Sequence, residues 1–237
     1  RTLFDACRLS GVHFSNIIDL EIIEGLISQN ELKLIKDRLI KLESLIIDEG
    51  VSIEGKIIPS LFFQYNKQIK SVTIKCEIDS IEESAFEGCE NLQDFNCATV
   101  KELKSKCFNG PTSLNSISLS NVATLTGSNF FSNNPSLETI ELPKLTMVTA
   151  SGFISEKSPN IKSIKLPQEP PTVSDSFSFD ISPTLIGISK DAAKNYDSND
   201  GLVDMKYYSL KLNYDLMTCL IDGEMIGGLS LKGLIPE

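Results

Sequence analysis

Hydroxyl, amide and charged side chains recur at the outward-facing places of a series of short predicted strands. Such groups donate and accept hydrogen bonds, which suits recognition of an extended peptide or a protein surface. No aromatic residue lies among them, so this surface is a weaker candidate for sugar binding. The alternative is that Ser and Thr are simply tolerated on an exposed sheet. We expect these residues on the concave sheet of the fold and call them the strip: Ser71, Thr73, Lys75, Asp94, Asn96, Ser116, Ser118, Ser120, Thr139, Glu141, Ser163 and Lys165.

Residues that could support catalysis or hold a metal are sparse in this sequence. The chain has one histidine, His13, and no nucleophile motif that would need it as a base, so we expect no enzyme. No Cys-x-x-Cys pair occurs, and the acidic loop at 197–201 does not fit a calcium-binding loop. The acidic pairs at 82–83 and at 87 and 90 are expected on solvated turns. No metal or cofactor is therefore predicted.

Six cysteines allow either three disulfides or buried free thiols. Cys97 occupies the inward strand place that Ile74 and Leu119 hold in the neighbouring repeats. This placement favours free thiols that behave as small hydrophobic side chains. The six are Cys7, Cys76, Cys89, Cys97, Cys107 and Cys219.

One spacing of apolar residues recurs along the chain and must position the strip. Around Phe86, an aliphatic residue lies five places before it, at Ile81, and apolar residues follow at Leu92, Phe95 and Cys97. The same spacing recurs around four other phenylalanines, with two departures: Thr126, beside Leu125, lies five places before Phe131, and two residues are inserted after Phe153. The terminal apolar triad begins at seven positions, 22 to 27 residues apart. A repeat of this length with Leu-x-x-Leu-x-Leu spacing predicts units that bury their apolar faces only by stacking. The other anchors are Phe63, Phe108, Phe131 and Phe153.

The segment from Ile81 to Leu92, Ile-x-x-x-Ala-Phe-x-Gly-Cys-x-x-Leu, resembles the BspA-like leucine-rich-repeat family, as do the Leu-Pro pairs at 142–143 and 166–167. The resemblance covers roughly residues 17–215. It implies a mainly β, right-handed leucine-rich-repeat solenoid with short helical segments and a helical N-terminal cap. It also implies a secreted or lipid-anchored bacterial surface protein that binds protein partners, with adhesion as one role. A structural spacer that presents another domain is the alternative.

The N-terminal cap is predicted to contain one helix. Ser28 and Glu31 fit a capping box, and apolar residues follow at helical spacing, so we expect a helix over about 29–41. We divide the chain into a cap with the first strands (1–56), the repeats (57–189) and a C-terminal cap and tail (190–237), all in one continuous domain. A short helix at 191–196 and a last strand at 207–212 are expected; residues 213–237 fit no repeat.

The bulk composition excludes several classes of partner. With 32 acidic and 22 basic residues, the 237-residue chain has a formal charge of −10, which disfavours nucleic acid and anionic lipid. At 41% hydrophobic residues the chain should fold, yet it contains no apolar run long enough to span a bilayer. No signal segment is expected within it, so localisation follows from the family resemblance alone.

Overall fold

The computed structural model describes residues 13–110, 112–152, 160–161, 163–165, 172–173, 185–188, 218–221 and 224–227. These residues form a β-solenoid, and each coil between residues 44 and 173 contributes one strand to a first face and one to a second face. The prediction of a mainly β repeat solenoid is confirmed. Among the described residues one α-helix, α1, spans Gln29–Arg38, and one-turn 3-10 segments cover Phe14–Asn16 and Glu54–Lys56.

The first face carries the strands that the apolar triads predicted, and they pair in parallel between adjacent coils. The first-face strands are β1 (Asp19–Ile27), β2 (Ser44–Ile53), β4 (Ser71–Ile74), β6 (Asp94–Asn96), β8 (Ser116–Ser118), β10 (Thr139–Glu141), β12 (Ser163–Lys165), β14 (Leu185–Ile188), β15 (Thr218–Ile221) and β16 (Glu224–Gly227). They form one sheet of β1, β2, β4 and β6 and a second sheet that begins at β8 and ends at β16. β16 runs antiparallel to β15.

The second face is also a sheet, which the repeat spacing did not predict. We expected only an aliphatic residue five places before each phenylalanine, or six places before Phe131 at Leu125, yet that residue lies in a short parallel strand. Ile58 pairs with Ile81, Ile81 with Leu103, and Leu103 with Leu125. The strands are β3 (Ile57–Ile58), β5 (Ser80–Ile81), β7 (Glu102–Lys104), β9 (Thr124–Ser128), β11 (Met147–Gly152) and β13 (Thr172–Val173).

A third side joins the second face to the next first-face strand through what we call the Phe segments, residues 60–66, 83–89, 105–110 and 128–134. In each, the residue two places before the anchor phenylalanine has a left-handed φ, as at Ser84 (57°) and Lys106 (57°). The residue two places after it does the same, as at Gly88 (67°) and Gly110 (89°). Isolated left-handed residues are costly except for Gly, so the neighbouring coils must hold these segments in place.

Backbone hydrogen bonds between Phe segments supply that restraint. The Phe86 N–H donates to the Cys107 carbonyl at 2.9 Å, and the Phe108 N–H donates to the Phe130 carbonyl at 3.1 Å. The N–H groups two places before and after Phe63, Phe86 and Phe108 also donate to the following coil; the Gly88 N–H donates to the Asn109 carbonyl at 2.8 Å, for example. Three columns of peptide groups therefore run along the solenoid, each with its N–H directed toward the C-terminal end.

The anchor phenylalanines form the core beneath these segments. Phe63, Phe86, Phe108 and Phe131 are each at most 1% exposed, which confirms the predicted internal column. The rings of Phe108 and Phe131 are nearly parallel, 5.9 Å apart between centroids and inclined by 5°. At the N-terminal end of the column the rings of Phe63 and Phe86 are instead tilted by 43°.

Helix α1 begins as predicted and ends early. The Ser28 side chain accepts a hydrogen bond from the Glu31 N–H, and the Glu31 carboxylate accepts one from the Ser28 N–H at 2.9 Å. The helix ends at Arg38 because Leu39 adopts φ −94° and ψ 62°. Ile40, within the range predicted to be helical, therefore lies beyond the helix end and is 59% exposed.

The C-terminal end continues the first face further than the repeat spacing indicated. Ile186 pairs with Ile164 of the preceding coil, so the incomplete triad at 186–188 still forms a strand. Residues 218–221 and 224–227 form the last two strands, within a region that was given no place in the repeat. The helix predicted at 191–196 and the strand predicted at 207–212 lie outside the described residues, as does Phe153.

Candidate binding surface

The strip residues between 71 and 141 face outward because strand side chains alternate between the two sides of a sheet. In β6, Phe95 points into the core while Asp94 and Asn96 are exposed. In β8, Ile117 is buried between exposed Ser116 and Ser118. The alternation expected from the sequence is therefore present in both central strands.

Strand register brings the strip residues into lateral rows. Asp94 lies beside Ser71, and Asn96 lies beside Thr73. Ser118 lies beside Glu141. On β4 and β10, Ser71, Thr73, Thr139 and Glu141 are half-buried, as is Ser120 after β8, whereas Lys75 is exposed. For the last two strip residues the backbone fixes only the register: Ser163 lies beside Thr139 and Lys165 beside Glu141.

The strip is divided between β6 and β8, which end two separate sheets. The division coincides with Phe95, which takes the inward place that Val72 and Ile117 hold in the neighbouring coils. Its ring packs edge-on against Phe86 and Phe108, with centroid distances of 5.0 and 4.7 Å. Phe95 is 9% exposed, more than its two neighbours in the same place. The strip thus consists of two adjoining parts rather than one uninterrupted sheet.

Several strip side chains already have partners within the solenoid. Ser118 Oγ donates to Glu141 Oε2 at 2.9 Å, and the hydroxyl oxygens of Ser44 and Ser71 lie 3.3 Å apart. Lys75 Nζ lies 3.4 Å from Asp48 Oδ1. The pKa of Asp48 is lowered, chiefly by the hydrogen bond from the Glu49 N–H and further by Lys75. These contacts satisfy part of the hydrogen-bonding and charge-pairing capacity of the strip within the solenoid.

One of the acidic residues assigned to solvated turns is instead buried. Glu87 is 8% exposed, and its carboxylate accepts hydrogen bonds from Gln64 Nε2 at 2.8 Å and Asn109 Nδ2 at 2.9 Å. Asn133 Nδ2 in turn donates to Asn109 Oδ1 at 3.0 Å. Burial raises the pKa of Glu87, but the hydrogen bonds from Gln64, Asn109 and Ser84 and the charge of Lys106 lower it overall. We call Gln64, Glu87, Asn109 and Asn133 the polar row.

A second set of polar contacts lies three places after the anchor phenylalanines. Asn134 Nδ2 donates to the Phe108 carbonyl at 2.7 Å, and Cys89 Sγ approaches the Phe63 carbonyl at 3.1 Å. The two side chains therefore perform the same task in different coils. Asn134 also accepts from the Thr112 hydroxyl at 2.7 Å, and both residues are buried.

The cysteines in the described part of the chain are free thiols, as predicted. Cys76, Cys89, Cys97 and Cys107 are all buried and unpaired by disulfide. Burial raises the pKa of Cys89 to about 12 and that of Cys97 to about 11, and it raises the pKa of Cys107 further. Cys7 and Cys219 fall outside the residues whose side chains are described.

Three further observations concern metal binding, membrane spanning and the histidine. In the described ranges, no three or more His, Cys, Asp and Glu residues come together as a set able to hold a metal ion. No helix there is long and apolar enough to cross a membrane. His13, the only histidine, is exposed and begins the 3-10 segment at Phe14.

The sequence reasoning did not single out two exposed apolar residues on the Phe segments. Leu61 is 44% exposed and Tyr65 is 62% exposed, and both have left-handed φ angles, 60° and 57°. The one signal in the sequence for Tyr65 was its position within the repeat. Tyr65 stands two places after its anchor phenylalanine, where the next two coils have Gly88 and Gly110.

Comparison with known proteins agrees with this architecture. No curated protein and no solved structure matches the chain. The family model for the BspA type leucine rich repeat region matches residues 56–185, in six copies. This span covers 130 of the 237 residues, and its repeats are the coils that carry the strip and the anchor phenylalanines. The chain belongs to the BspA-type leucine-rich-repeat family.

Proposed function

We propose that this protein is a non-enzymatic binding protein that holds a protein or peptide partner along the strip. Leucine-rich repeats of this kind are protein-interaction modules and are typically not enzymes. The observation that carries the proposal is the regular outward placement of Asp94, Asn96, Ser116 and Ser118 above a fully packed core. These side chains are short, so a partner can approach the sheet closely.

The chemistry of the strip favours an extended protein segment as its ligand. Hydroxyl and amide groups on Asn96, Ser116 and Thr139 pair with backbone amides and carbonyls of a peptide, whatever its sequence. Asp94 adds an exposed negative charge, while Lys75 and Glu141 are already engaged with Asp48 and Ser118. Selectivity among partners then comes from which strip side chains the strand register places side by side, such as Asn96 beside Thr73 and Ser118 beside Glu141.

We further propose that the protein acts at a bacterial cell surface, secreted or lipid-anchored, and contributes to adhesion to host or neighbouring cells. BspA-type repeats generally belong to surface or secreted proteins. An acidic chain with formal charge −10 is poorly suited to nucleic acid, which supports a protein partner in that setting.

A structural spacer is the second candidate. The bonds of Ser118 to Glu141 and of Ser44 to Ser71 satisfy part of the strip internally. In that case the coils serve to hold another domain at a distance, and the strip has no ligand of its own.

The two candidates differ in their response to a charged block on the strip. The test variant is Asn96→Arg with Ser118→Arg, which places long charged side chains on both parts of the strip. The matched control, Ser60→Arg with Gln68→Arg, adds the same charge at exposed residues away from the strip. Each protein is used as bait for extracellular-matrix and cell-surface extracts after its melting temperature is measured.

A captured protein is identified, prepared separately and titrated against all three baits. The proposal requires wild type and control to bind it equally and the strip variant, with unchanged melting, to bind at least tenfold more weakly. Equal binding by the strip variant, or capture of nothing by wild type, contradicts the proposal and favours the spacer.

A further inference from the structure

Strand β1 forms the N-terminal edge of the first-face sheet, and in the described part of the chain it pairs with β2 alone. The Ser44 N–H of β2 donates to the Ile18 carbonyl at 3.1 Å. Because a parallel ladder engages alternate residues of a strand, Leu20 also directs its backbone groups to β2, while Asp19 and Glu21 direct theirs to the open edge. β1 therefore presents backbone donors and acceptors to an incoming strand.

The length and composition of β1 favour such an addition. Edge strands that avoid pairing with other chains are often short or carry lysine or proline. β1 is nine residues long, contains neither, and has a bulge between Ile22 and Glu24 that separates two regular stretches. Ile23 is 65% exposed, Leu26 is 72% exposed, and Ile18 just before the strand is 48% exposed. An added strand would bury apolar surface as well as pair backbone groups.

The core side of β1 is covered less completely than that of the next strand. Leu20 and Ile22 lie in register beside Leu45 and Ile47 of β2. Leu45 and Ile47 are fully buried, whereas Leu20 is half-buried and Ile22 is 7% exposed. Since strand side chains alternate between the two sides of a sheet, a strand at this edge would complete the layer with an apolar residue at every second place.

The exposed side of β1 carries negative charge. Asp19, Glu21 and Glu24 are exposed, and among the described residues none of them lies in a salt bridge, whereas Asp48 of β2 pairs with Lys75. A second copy of β1 on this edge would bring three more carboxylates against these, and like charges on neighbouring strands are destabilising. Charge therefore selects a basic strand over a second copy of this chain.

We propose that the open edge of β1 binds an extended segment of a partner protein in which apolar and basic residues alternate. Main-chain hydrogen bonds to Asp19 and Glu21 attach the segment, as in other cases of β-strand addition. Its apolar side chains cover Leu20 and Ile22, and its basic side chains lie beside the carboxylates. Strand β2 separates this edge from the strip, so the two surfaces contact different segments.

The probe is a labelled peptide of alternating lysine and valine with blocked termini, equal in length to β1, titrated against the full chain by fluorescence anisotropy. Two further peptides carry N-methyl groups on all valines or on all lysines. Each modification removes the backbone donors from one edge of the peptide strand and leaves its charge unchanged. A fourth peptide has the same residues in two blocks, which removes the alternation.

We expect the full chain to bind the alternating peptide and one of the two methylated peptides, because only one edge of the peptide faces β1. The other methylated peptide and the block peptide should bind at least tenfold more weakly. Attraction of a cationic peptide to an acidic chain would give equal affinities for all four. That result, or failure of the alternating peptide to bind, overturns the proposal.

Charge reversal on the protein locates the site. Glu21→Lys with Glu24→Lys changes the edge, and Asp37→Lys with Glu83→Lys makes the same change of charge at exposed places on α1 and a Phe segment. With unchanged melting temperatures, the edge variant should bind the peptide at least tenfold more weakly than wild type and the control. Equal binding by the edge variant overturns the proposal. A wild-type dimer in light scattering that the edge variant converts to monomer would assign the edge to a second copy and reject it as well.

Discussion

The ring of Phe86 stacks on the ring of Phe108 with 5.5 Å between centroids and 7° between planes. The same two residues are linked to neighbouring coils by their backbone N–H groups, since Phe86 donates to Cys107 and Phe108 donates to Phe130. Side-chain stacking and backbone pairing thus impose the same spacing between coils. The core and the Phe segments therefore stabilise each other.

Truncation of this column should be severe. Phe86→Ala removes a fully buried ring that contacts Phe63, Phe95 and Phe108, so we expect a loss of about 3–5 kcal/mol in the free energy of unfolding. Urea denaturation followed by circular dichroism measures it. Leu61→Gly, at an exposed place, should lose far less; a Phe86→Ala loss below about 1 kcal/mol would show that the column is not packed as described.

The buried amide of Asn134 should matter more than an exposed one. Asn134→Ala leaves the Phe108 carbonyl and the Thr112 hydroxyl without their partner, and each buried unsatisfied group costs about 1–3 kcal/mol. Asn91→Ala is the control, because exposed Asn91 makes one hydrogen bond to the Lys67 carbonyl. Equal unfolding free energies for the two variants would refute the role given to Asn134.

Glu87 should contribute stability that disappears in acid. Its pKa in the folded protein is lowered from 4.5, so its stabilising effect is complete above the unfolded value and is lost as the pH falls through the folded value. In the Glu87→Gln variant only one side-chain oxygen remains to accept from Gln64 and Asn109. The free energy of unfolding at pH 7 should therefore be larger for wild type than for this variant.

That advantage should shrink when denaturation is repeated below pH 4. Glu83→Gln, at an exposed neighbour, is the control and should change stability at pH 7 by less than about 0.5 kcal/mol. A Glu87→Gln deficit that is as large in acid as at pH 7 would mean that ionisation of Glu87 is not its source.

Gly88 and Tyr65 should be energetically coupled. Gly88→Ala keeps a left-handed φ of 67°, which alone should lower the free energy of unfolding by about 1–2 kcal/mol. The new methyl group also collides with the Tyr65 ring, and displacement of that ring should lower the free energy of unfolding further. In a Tyr65→Gly background the ring conflict is absent, and a double-mutant cycle should show coupling of about 0.5–3 kcal/mol.

Gly110→Ala provides the comparison for that cycle. Its new Cβ would meet the Gly88 backbone at 3.2 Å, and removal of the Tyr65 ring does not change this contact. Its cost should therefore be the same in both backgrounds, whereas additivity of Gly88→Ala with Tyr65→Gly would contradict the placement of the ring.

The buried thiols should resist alkylation in the native protein. Burial raises the pKa values of Cys76, Cys89, Cys97 and Cys107, and the thiolate is the reactive form. Iodoacetamide treatment at pH 8 followed by peptide mass spectrometry should label these four only after unfolding. Rapid native labelling of Cys89 would contradict its burial.

Repeat spacing was sufficient to predict the first-face strands from β1 to β12 and the internal phenylalanine column from Phe63 to Phe131. Each triad places apolar residues at fixed intervals. Because each coil stacks on the next, the same intervals recur from coil to coil and make the pattern detectable. The second face escaped prediction because a strand such as Ile57–Ile58 contributes a single buried residue per coil, too few to show alternation. Its partner strand lies a full coil away in sequence.

The fate of single polar residues was harder to predict for the same reason. Glu87 has the sequence context of an exposed turn, and its burial depends on Gln64 and Asn109, each 22 or 23 residues distant. The exposed ring of Tyr65 depends on the absence of a side chain at Gly88. Neither dependence is visible within one repeat, whereas the Ser28–Glu31 cap is local and was predicted fully.

The uniform direction of the peptide groups in the Phe segments makes the solenoid a polar object that can be lengthened only in whole units. A coil inserted between the segments containing Phe86 and Phe108 would find donors on one side and acceptors on the other. In an inverted coil, donors would face donors and acceptors would face acceptors at three peptide groups. Duplication or loss of entire repeats is therefore structurally neutral on this side, while a change of a few residues within one segment interrupts all three columns.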